Sequence, residues 1–102
     1  MRNNNVTIIG TGSYLPSRIV PNSEICEYID TSPDWVEQKL GILERRMVET
    51  ESTSDLAYYA TLRALESAGV DKEDLDLIMV VTSSPDQISP STACVLHNKL
   101  DI

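Results

Sequence analysis

The sequence has few cysteines and no long apolar run. Two cysteines, Cys26 and Cys94, are too few for a disulfide framework, and in a reducing compartment they would be free thiols. Neither belongs to a paired Cys-x-x-Cys motif, so no metal site is predicted. No apolar run approaches the ~20 residues of a membrane span, and residues 1–5 lead into a short β-branched run instead of a signal peptide. We therefore expect a cytoplasmic protein with no membrane span.

Basic side chains are also scarce. The chain has 8 Lys and Arg against 16 Asp and Glu, a net charge of −8, which repels the phosphates of nucleic acids and anionic lipids. We expect no nucleic acid partner. Lys39, Arg45 and Arg46 form a local exception that could bind a small anion. Because Glu37 and Glu44 offset this charge, the residues by themselves favour a solvated basic patch.

What the sequence does contain is typical of an α/β protein. Its 102 residues are 41% apolar and 24% charged, which is ordinary for a globular chain. Val6–Ile9 predicts a buried strand that ends in a glycine turn, but Leu15 replaces the third glycine of a dinucleotide-binding fingerprint. Leu75–Thr82 lacks polar alternation and predicts a strand buried on both faces, as in a parallel sheet covered by helices.

Two short helices are predicted between these strands. Asn22 is positioned to cap a helix over residues 24–28. Ser32 is positioned to cap a second helix that begins with Pro33 and ends at Gly41. On this second helix Trp35 and Lys39 lie four residues apart and so project from one face.

Two further helices are predicted in the second half. The first starts at Ser52, carries a stripe of alanines that favours packing against a sheet, and ends at Gly69. A short turn follows over residues 71–74. The second starts at Ser89 and Pro90 and runs to about Leu100. Since a further strand normally follows such a helix, the sequence suggests a cut within a domain.

Two groups of residues are chemically suggestive. Cys94 and His97 lie three residues apart on the predicted last helix, and a thiol beside an imidazole can form a cysteine nucleophile. A buried, unreactive cysteine is the favoured interpretation. Trp35 beside Lys39 would suit an adenine ring with phosphates. Without further information, a tryptophan that anchors its helix is the more common arrangement.

Four segments together resemble the beta-ketoacyl-ACP synthases III of the thiolase superfamily. They are Gly10-Thr-Gly-Ser-Tyr-Leu-Pro16, Asp30-Thr-Ser-Pro-Asp-Trp35 with Gly41-Ile-Leu-Glu-Arg-Arg46, Ser54-Asp-Leu-Ala57 and Pro90-Ser-Thr-Ala-Cys94. The resemblance implies a duplicated α/β thiolase-like fold with a mixed, mainly parallel sheet and helices on both faces. Residues 1–102 would be the N-terminal part of this domain, most of the first of two repeats, truncated before the catalytic cysteine.

The resemblance also implies an activity. Such enzymes are acyltransferases that condense an acyl-CoA, often acetyl-CoA, with malonyl-ACP through an acyl-cysteine, releasing carbon dioxide and initiating fatty acid synthesis. Acyl-CoA and acyl carrier protein would be the partners, acyl-CoA being a substrate and no cofactor being needed. The full-length enzyme would be a homodimer, whereas this chain would hold no catalytic residue and be inactive by itself.

The coenzyme A site is the part of the enzyme that the resemblance places in this chain. Trp35 matches a tryptophan that stacks on the adenine ring, Thr31 a threonine near that ring, and Lys39 an arginine near the phosphates. Lysine keeps the charge but loses the planar fork of arginine. Leu40 and Leu43 stand where the family commonly has threonine and arginine.

Two alternatives remain open from the sequence. One is a naturally short, non-catalytic interaction module that pairs with a complementary polypeptide. The other is a thiolase-superfamily condensing enzyme of secondary metabolism, because Leu43 and Ser89 depart from the common residues at positions that bear on the coenzyme and the acyl group.

Overall fold

The computed structural model describes residues 5–102, so the predicted lead-in over residues 1–4 lies outside the described residues. These residues divide into two compact units. The ribbon unit is Leu15–Glu51, and the helical unit is residues 5–14 with Ser52–Ile102. The predicted α/β composition is present, since helices and one small sheet are formed.

The ribbon unit is built on two short strands that pair antiparallel, β1 (Arg18–Pro21) and β2 (Glu44–Met47). Val20 on β1 is completely buried. Neither strand was predicted, because each has four residues, β2 is mostly charged and β1 ends in proline. Side-chain hydrogen bonds from Arg45 and Arg46 help to stabilise this pairing, which has no long apolar run to stabilise it.

The prediction that Asn22 caps a helix over residues 24–28 is wrong. Helix α1 is a single turn, Asn22–Ile25, and its N-cap residue Pro21 makes no side-chain cap. The buried Asn22 side chain is used elsewhere, since its Nδ2 donates to the Ile42 carbonyl oxygen at 2.6 Å. Its Oδ1 accepts from Arg45 Nη2 at 2.8 Å. An amide engaged across the ribbon cannot also cap its own helix.

Helix α2 (Pro33–Leu40) has the predicted bounds. The Ser32 hydroxyl accepts a hydrogen bond from the Trp35 backbone N–H at 3.2 Å, which satisfies one of the unpaired donors of the first turn. Gly41 ends the helix in the left-handed conformation with φ 67°, which glycine adopts without steric cost. Val36 is its buried residue. The cap and stop signals of the sequence are confirmed here.

Helix α3 (Thr53–Ala68) in the helical unit is also confirmed. Ser52 and Asp55 form a reciprocal capping box, and Gly69 closes the helix. The partner of its alanine face differs from the predicted sheet, since the extended segment that holds Gly10 and Gly12 approaches it. A Cβ on Gly12 would lie 2.3 Å from the Ala60 carbonyl oxygen.

The end of the helical unit consists of a 3-10 turn and a last helix. The turn is Lys72–Asp74, as predicted, and the helix is α4 (Thr92–Leu100). Ser91 caps α4 in place of Ser89, so the helix starts slightly later than predicted. Lys72 Nζ donates to the carbonyl oxygen of Leu100 at 2.7 Å, at the negative end of α4. No helix in residues 5–102 is long and apolar enough to cross a membrane.

The two predicted buried strands are wrong for this structure. Neither Val6–Ile9 nor Leu77–Val81 is assigned as a strand, and the ribbon is the only sheet within residues 5–102. Val6 is 98% exposed and Val81 is 91% exposed. A strand needs a hydrogen-bonded neighbour, and the described part of the chain provides none for either segment. The predicted parallel sheet with helices on both faces is therefore not formed in these residues.

Candidate functional site

The beginning of α2 presents an aromatic ring to solvent. Trp35 is the third residue of α2, and its indole is 51% exposed although it is the only tryptophan of the chain. Trp35 lines a shallow depression of about 400 Å³ together with Asp30, Thr31 and Ser32. The buried anchor of the helix is Val36 instead. Thr31 and Trp35, two residues that the resemblance assigns to coenzyme A, therefore lie at one concave surface.

Lys39 lies one helical turn beyond Trp35, in the last turn of α2. Residues four apart on a helix share a face, so the ammonium and the indole project from the same side. Lys39 is exposed, and within residues 5–102 it makes no hydrogen bond or ion pair. Its charge is therefore available to a ligand.

The two arginines of the basic patch have a different role. Arg45 donates to Asn22, and its other terminal nitrogen is buried with no hydrogen-bond partner among the described residues. Arg46 Nη1 donates to the carbonyl oxygen of Pro16 at 3.0 Å. The solvated basic patch favoured by the sequence is therefore wrong for Arg45, whose guanidinium is held within the ribbon. Arg46 remains exposed, although its Nη1 bonds the ribbon backbone.

A polar cluster at the start of α3 was not predicted. The Asp55 carboxylate accepts from Lys99 Nζ and from the Ser52 backbone N–H, and these bonds hold the Asp55 pKa well below its usual range. Asp86 accepts from the Ser54 backbone N–H at 3.0 Å, and hydrogen bonding to Ser54 lowers the Asp86 pKa. Both carboxylates accept hydrogen bonds from backbone N–H groups at the start of α3, an arrangement that indicates helix capping and not proton transfer.

The Cys94 and His97 pair is not assembled as a nucleophile. The prediction of a buried cysteine is wrong, because Cys94 is exposed. Its sulfur accepts a hydrogen bond from the Ser91 hydroxyl at 3.3 Å. Cys94 and His97 line the same groove, but no hydrogen bond joins the thiol to the imidazole in the described part of the chain. A thiol without an adjacent base lacks the activation that covalent catalysis needs.

Comparison with known proteins decides the family. No protein-family model matches the chain. Beta-ketoacyl-[acyl-carrier-protein] synthase III of Clostridium acetobutylicum is 47% identical over 97 residues, 95% of this chain. The crystal structure of 3-oxoacyl-[acyl-carrier-protein] synthase III from Aquifex aeolicus has a TM-score of 0.90 at 38% identity over 95% of the chain. The resemblance to the beta-ketoacyl-ACP synthase III family is confirmed.

The predicted thiolase-like fold is confirmed with it. Beta-ketoacyl-ACP synthase III from Thermus thermophilus also superimposes, with a TM-score of 0.85 at 35% identity over 95% of this chain. The chain spans 30% of the Clostridium beta-ketoacyl-ACP synthase III and 32% of the Aquifex structure. The similarity therefore covers nearly all of this chain and less than a third of each relative.

Proposed function

We propose that the chain is part of a beta-ketoacyl-ACP synthase III, an acyltransferase that initiates fatty acid synthesis. An enzyme cysteine takes the acyl group, acetyl in the simplest case, from acyl-CoA and releases the coenzyme as its thiol. Malonyl-ACP then loses carbon dioxide, and the carbanion so formed attacks the acyl-cysteine carbonyl. A carbon–carbon bond forms, the cysteine leaves as thiolate, and the product remains on the carrier protein.

The role of this chain in that reaction is to bind the coenzyme. The observation that carries the proposal is the half-exposed Trp35 indole, which shares a depression with Thr31. An exposed indole offers a flat surface on which an adenine ring can stack. Lys39, one turn further along the same face, supplies a positive charge for the phosphates.

The chemistry itself is assigned to residues other than those described. In this proposal residues 1–102 are the N-terminal part of a condensing domain, and the chain contains no catalytic residue. Cys94 lacks an adjacent base, which supports this assignment. The chain by itself should therefore bind acyl-CoA without forming an acyl-enzyme.

Further properties of the whole enzyme belong to the same proposal. Acyl carrier protein is the second substrate carrier, as the name of the Clostridium relative indicates for that protein. We propose a cytoplasmic homodimer that needs no cofactor, acyl-CoA acting as a substrate. Low cysteine content supports a reducing compartment, and the excess of acidic side chains disfavours nucleic acid as a partner.

Calorimetric titration of the 102-residue chain with coenzyme A tests the binding role. Stacking of one base on an aromatic ring contributes about 1–3 kcal/mol, so Trp35→Ala should weaken binding by about fivefold or more. Tyr28→Ala is the matched control, because Tyr28 is another exposed aromatic of the ribbon unit and is not in the depression. Absence of binding by the unchanged chain, or equal affinity in the Trp35 variant, would contradict the proposal.

Mass spectrometry after incubation with acetyl-CoA tests the proposal that the chain forms no acyl-enzyme by itself. We expect no acetyl group on Cys26 or Cys94 at neutral pH. Stoichiometric acetylation of Cys94 that His97→Ala abolishes would show that the chain contains its own nucleophile, and the assignment of the chemistry to other residues would fail.

A further inference from the structure

Asn22 connects the start of α1 to the residues that follow α2. Its backbone N–H donates to the Leu43 carbonyl oxygen at 3.3 Å, and its side-chain Nδ2 donates to the Ile42 carbonyl oxygen at 2.6 Å. One residue therefore bonds two consecutive carbonyl groups. Asn22 is only 5% exposed, so its side-chain bond lies where water competes weakly for either group. These bonds attach the end of α2 to the ribbon.

The first part of α2 has separate support. The Ser32 hydroxyl caps the first turn, and Val36 is buried in the middle of the helix. Trp35 lies between these two residues in the sequence, so the position of its indole is fixed near the cap. At the other end, the Gly41 N–H donates to the Glu37 carbonyl oxygen at 2.8 Å, a bond that lies within the helix and its cap. The bonds from Asn22 come directly after it.

Lys39 depends on the end of the helix that Asn22 attaches. It lies in the last turn of α2, three residues before Ile42. Terminal turns fray because their carbonyl groups lack partners within the helix. Loss of the bond between Asn22 and Ile42 would therefore release the turn that carries Lys39, while Trp35 would stay near its cap. The separation between the ammonium and the indole would then no longer be fixed.

We propose that Asn22 is a positioning residue for coenzyme binding, because its bond to the Ile42 carbonyl holds Lys39 in place relative to Trp35. The inference rests on the proposed function. The adenine ring and phosphates of one ligand are a fixed number of bonds apart, and such a ligand binds more tightly to groups that are already in place. Asn22 is buried and does not line the depression beside Trp35, so it acts through the helix and not on the ligand.

Calorimetric titration with coenzyme A, at low and at physiological ionic strength, tests the inference. Lys39→Met removes one exposed charge and should weaken binding at low salt by about twofold to fivefold. Asn22→Ala should weaken binding by a similar factor, and the double variant should bind no more weakly than Lys39→Met alone. The dependence of the dissociation constant on salt should also fall in Asn22→Ala, although that change removes no charge.

Val20→Ala is the control that separates positioning from stability. Val20 is completely buried on β1, so its truncation should also make the chain unfold at lower urea concentration. It leaves the bond to Ile42 intact, and we expect unchanged affinity and unchanged salt dependence.

If Asn22→Ala does not fold, Asn22→Asp keeps the acceptor for Arg45 and removes only the donor to Ile42. The repulsion from its added charge would weaken binding with or without Lys39, whereas the loss of positioning would disappear in Lys39→Met.

The outcomes separate this inference from the function on which it rests. Failure of the unchanged chain to bind coenzyme A would remove the proposed function itself. If the chain binds, equal affinity of Asn22→Ala, or a loss that persists in full beside Lys39→Met, would overturn the inference alone. Equal weakening by Val20→Ala would overturn it as well, since binding would then follow the stability of the ribbon. Unchanged binding by Lys39→Met would leave Asn22 no charge to position.

Discussion

The two units are held together internally by different means. In the helical unit, a glycine segment lies against the alanine face of α3, at separations that leave no room for a methyl group. In the ribbon unit, long arginine side chains donate hydrogen bonds to a buried asparagine and to backbone carbonyls. The first arrangement depends on the absence of side-chain atoms, and the second on the presence of charged ones.

This difference bears on function because an N–H donor that is bonded within the unit is not free to bond a ligand. The ribbon unit contains the candidate coenzyme site, yet its arginines are engaged in its own hydrogen bonds. Lys39, which contributes no such bond, is left for the ligand. The structural or binding role of a basic residue in this segment therefore follows from its hydrogen-bond partners, and closeness in the sequence does not show it.

The largest expected effect tests the close packing of the helical unit. A Cβ at position 12 would lie 2.3 Å from the Ala60 carbonyl oxygen and 2.4 Å from the Ala64 nitrogen. Gly12→Ala should therefore lower the free energy of unfolding by about 3 kcal/mol, the upper part of the usual range for overpacking. Thermal or urea unfolding measures this, with Ser13→Ala as the neighbouring control. Equal loss in both variants would show that the contact is not tight.

A smaller effect tests the arginine bonding of the ribbon unit. Arg45→Met should cost about 2 kcal/mol, because it leaves the buried Asn22 Oδ1 without its donor. Lys39→Met, a matched change at an exposed and unbonded lysine, should stay within about 0.5 kcal/mol. Urea unfolding of both variants measures the two losses of stability. Equal losses would contradict the structural role of Arg45.

The smallest effect concerns acid stability at the start of α3. The folded pKa of Asp55 is lowered, first by Lys99 and then by Ser52, so the folded state binds this proton less readily than the unfolded state. The stabilisation is present above the unfolded pKa of about 3.9 and is lost as pH falls towards the folded value.

Melting temperatures measured from about pH 7 to about pH 3 provide the test of that acid sensitivity. The advantage of the unchanged chain over Asp55→Asn should shrink as the solution becomes more acidic than the unfolded pKa. Lys99→Met should also reduce the stability that the Asp55 carboxylate contributes, since it removes the principal cause of the lowered pKa. An advantage that is constant over this range would contradict the assigned cause.

Much of the local structure could be predicted from the sequence where short-range chemistry decides it. Helices α2 and α3 start at a capping serine and end at a left-handed glycine, and both signals are visible in the residues themselves. The ribbon was missed because its strands depend on contacts between residues more than twenty positions apart, such as Asn22 with Arg45. Such partners have no short-range signature.

The apolar runs, in contrast, were predicted as strands that the structure does not form. Leu77–Val81 has the composition of a buried strand, yet its side chains Leu77, Met79 and Val81 are exposed. The composition of a segment indicates its tendency to form a strand, but the strand forms only beside a neighbouring strand that shares its hydrogen bonds. For the candidate site, the sequence could name Trp35 and Lys39, but not that the nearby arginines would be engaged by the ribbon.

The approach of Gly12 to α3 limits which second mutations could rescue a first. The atoms that a new methyl group would meet are the Ala60 carbonyl oxygen and the nitrogen and Cα of Ala64. These belong to the backbone, which every amino acid shares, so trimming either alanine to glycine would create no space. A suppressor of Gly12→Ala would have to move the helix axis, and a search for compensating exchanges confined to these two alanine positions should find none.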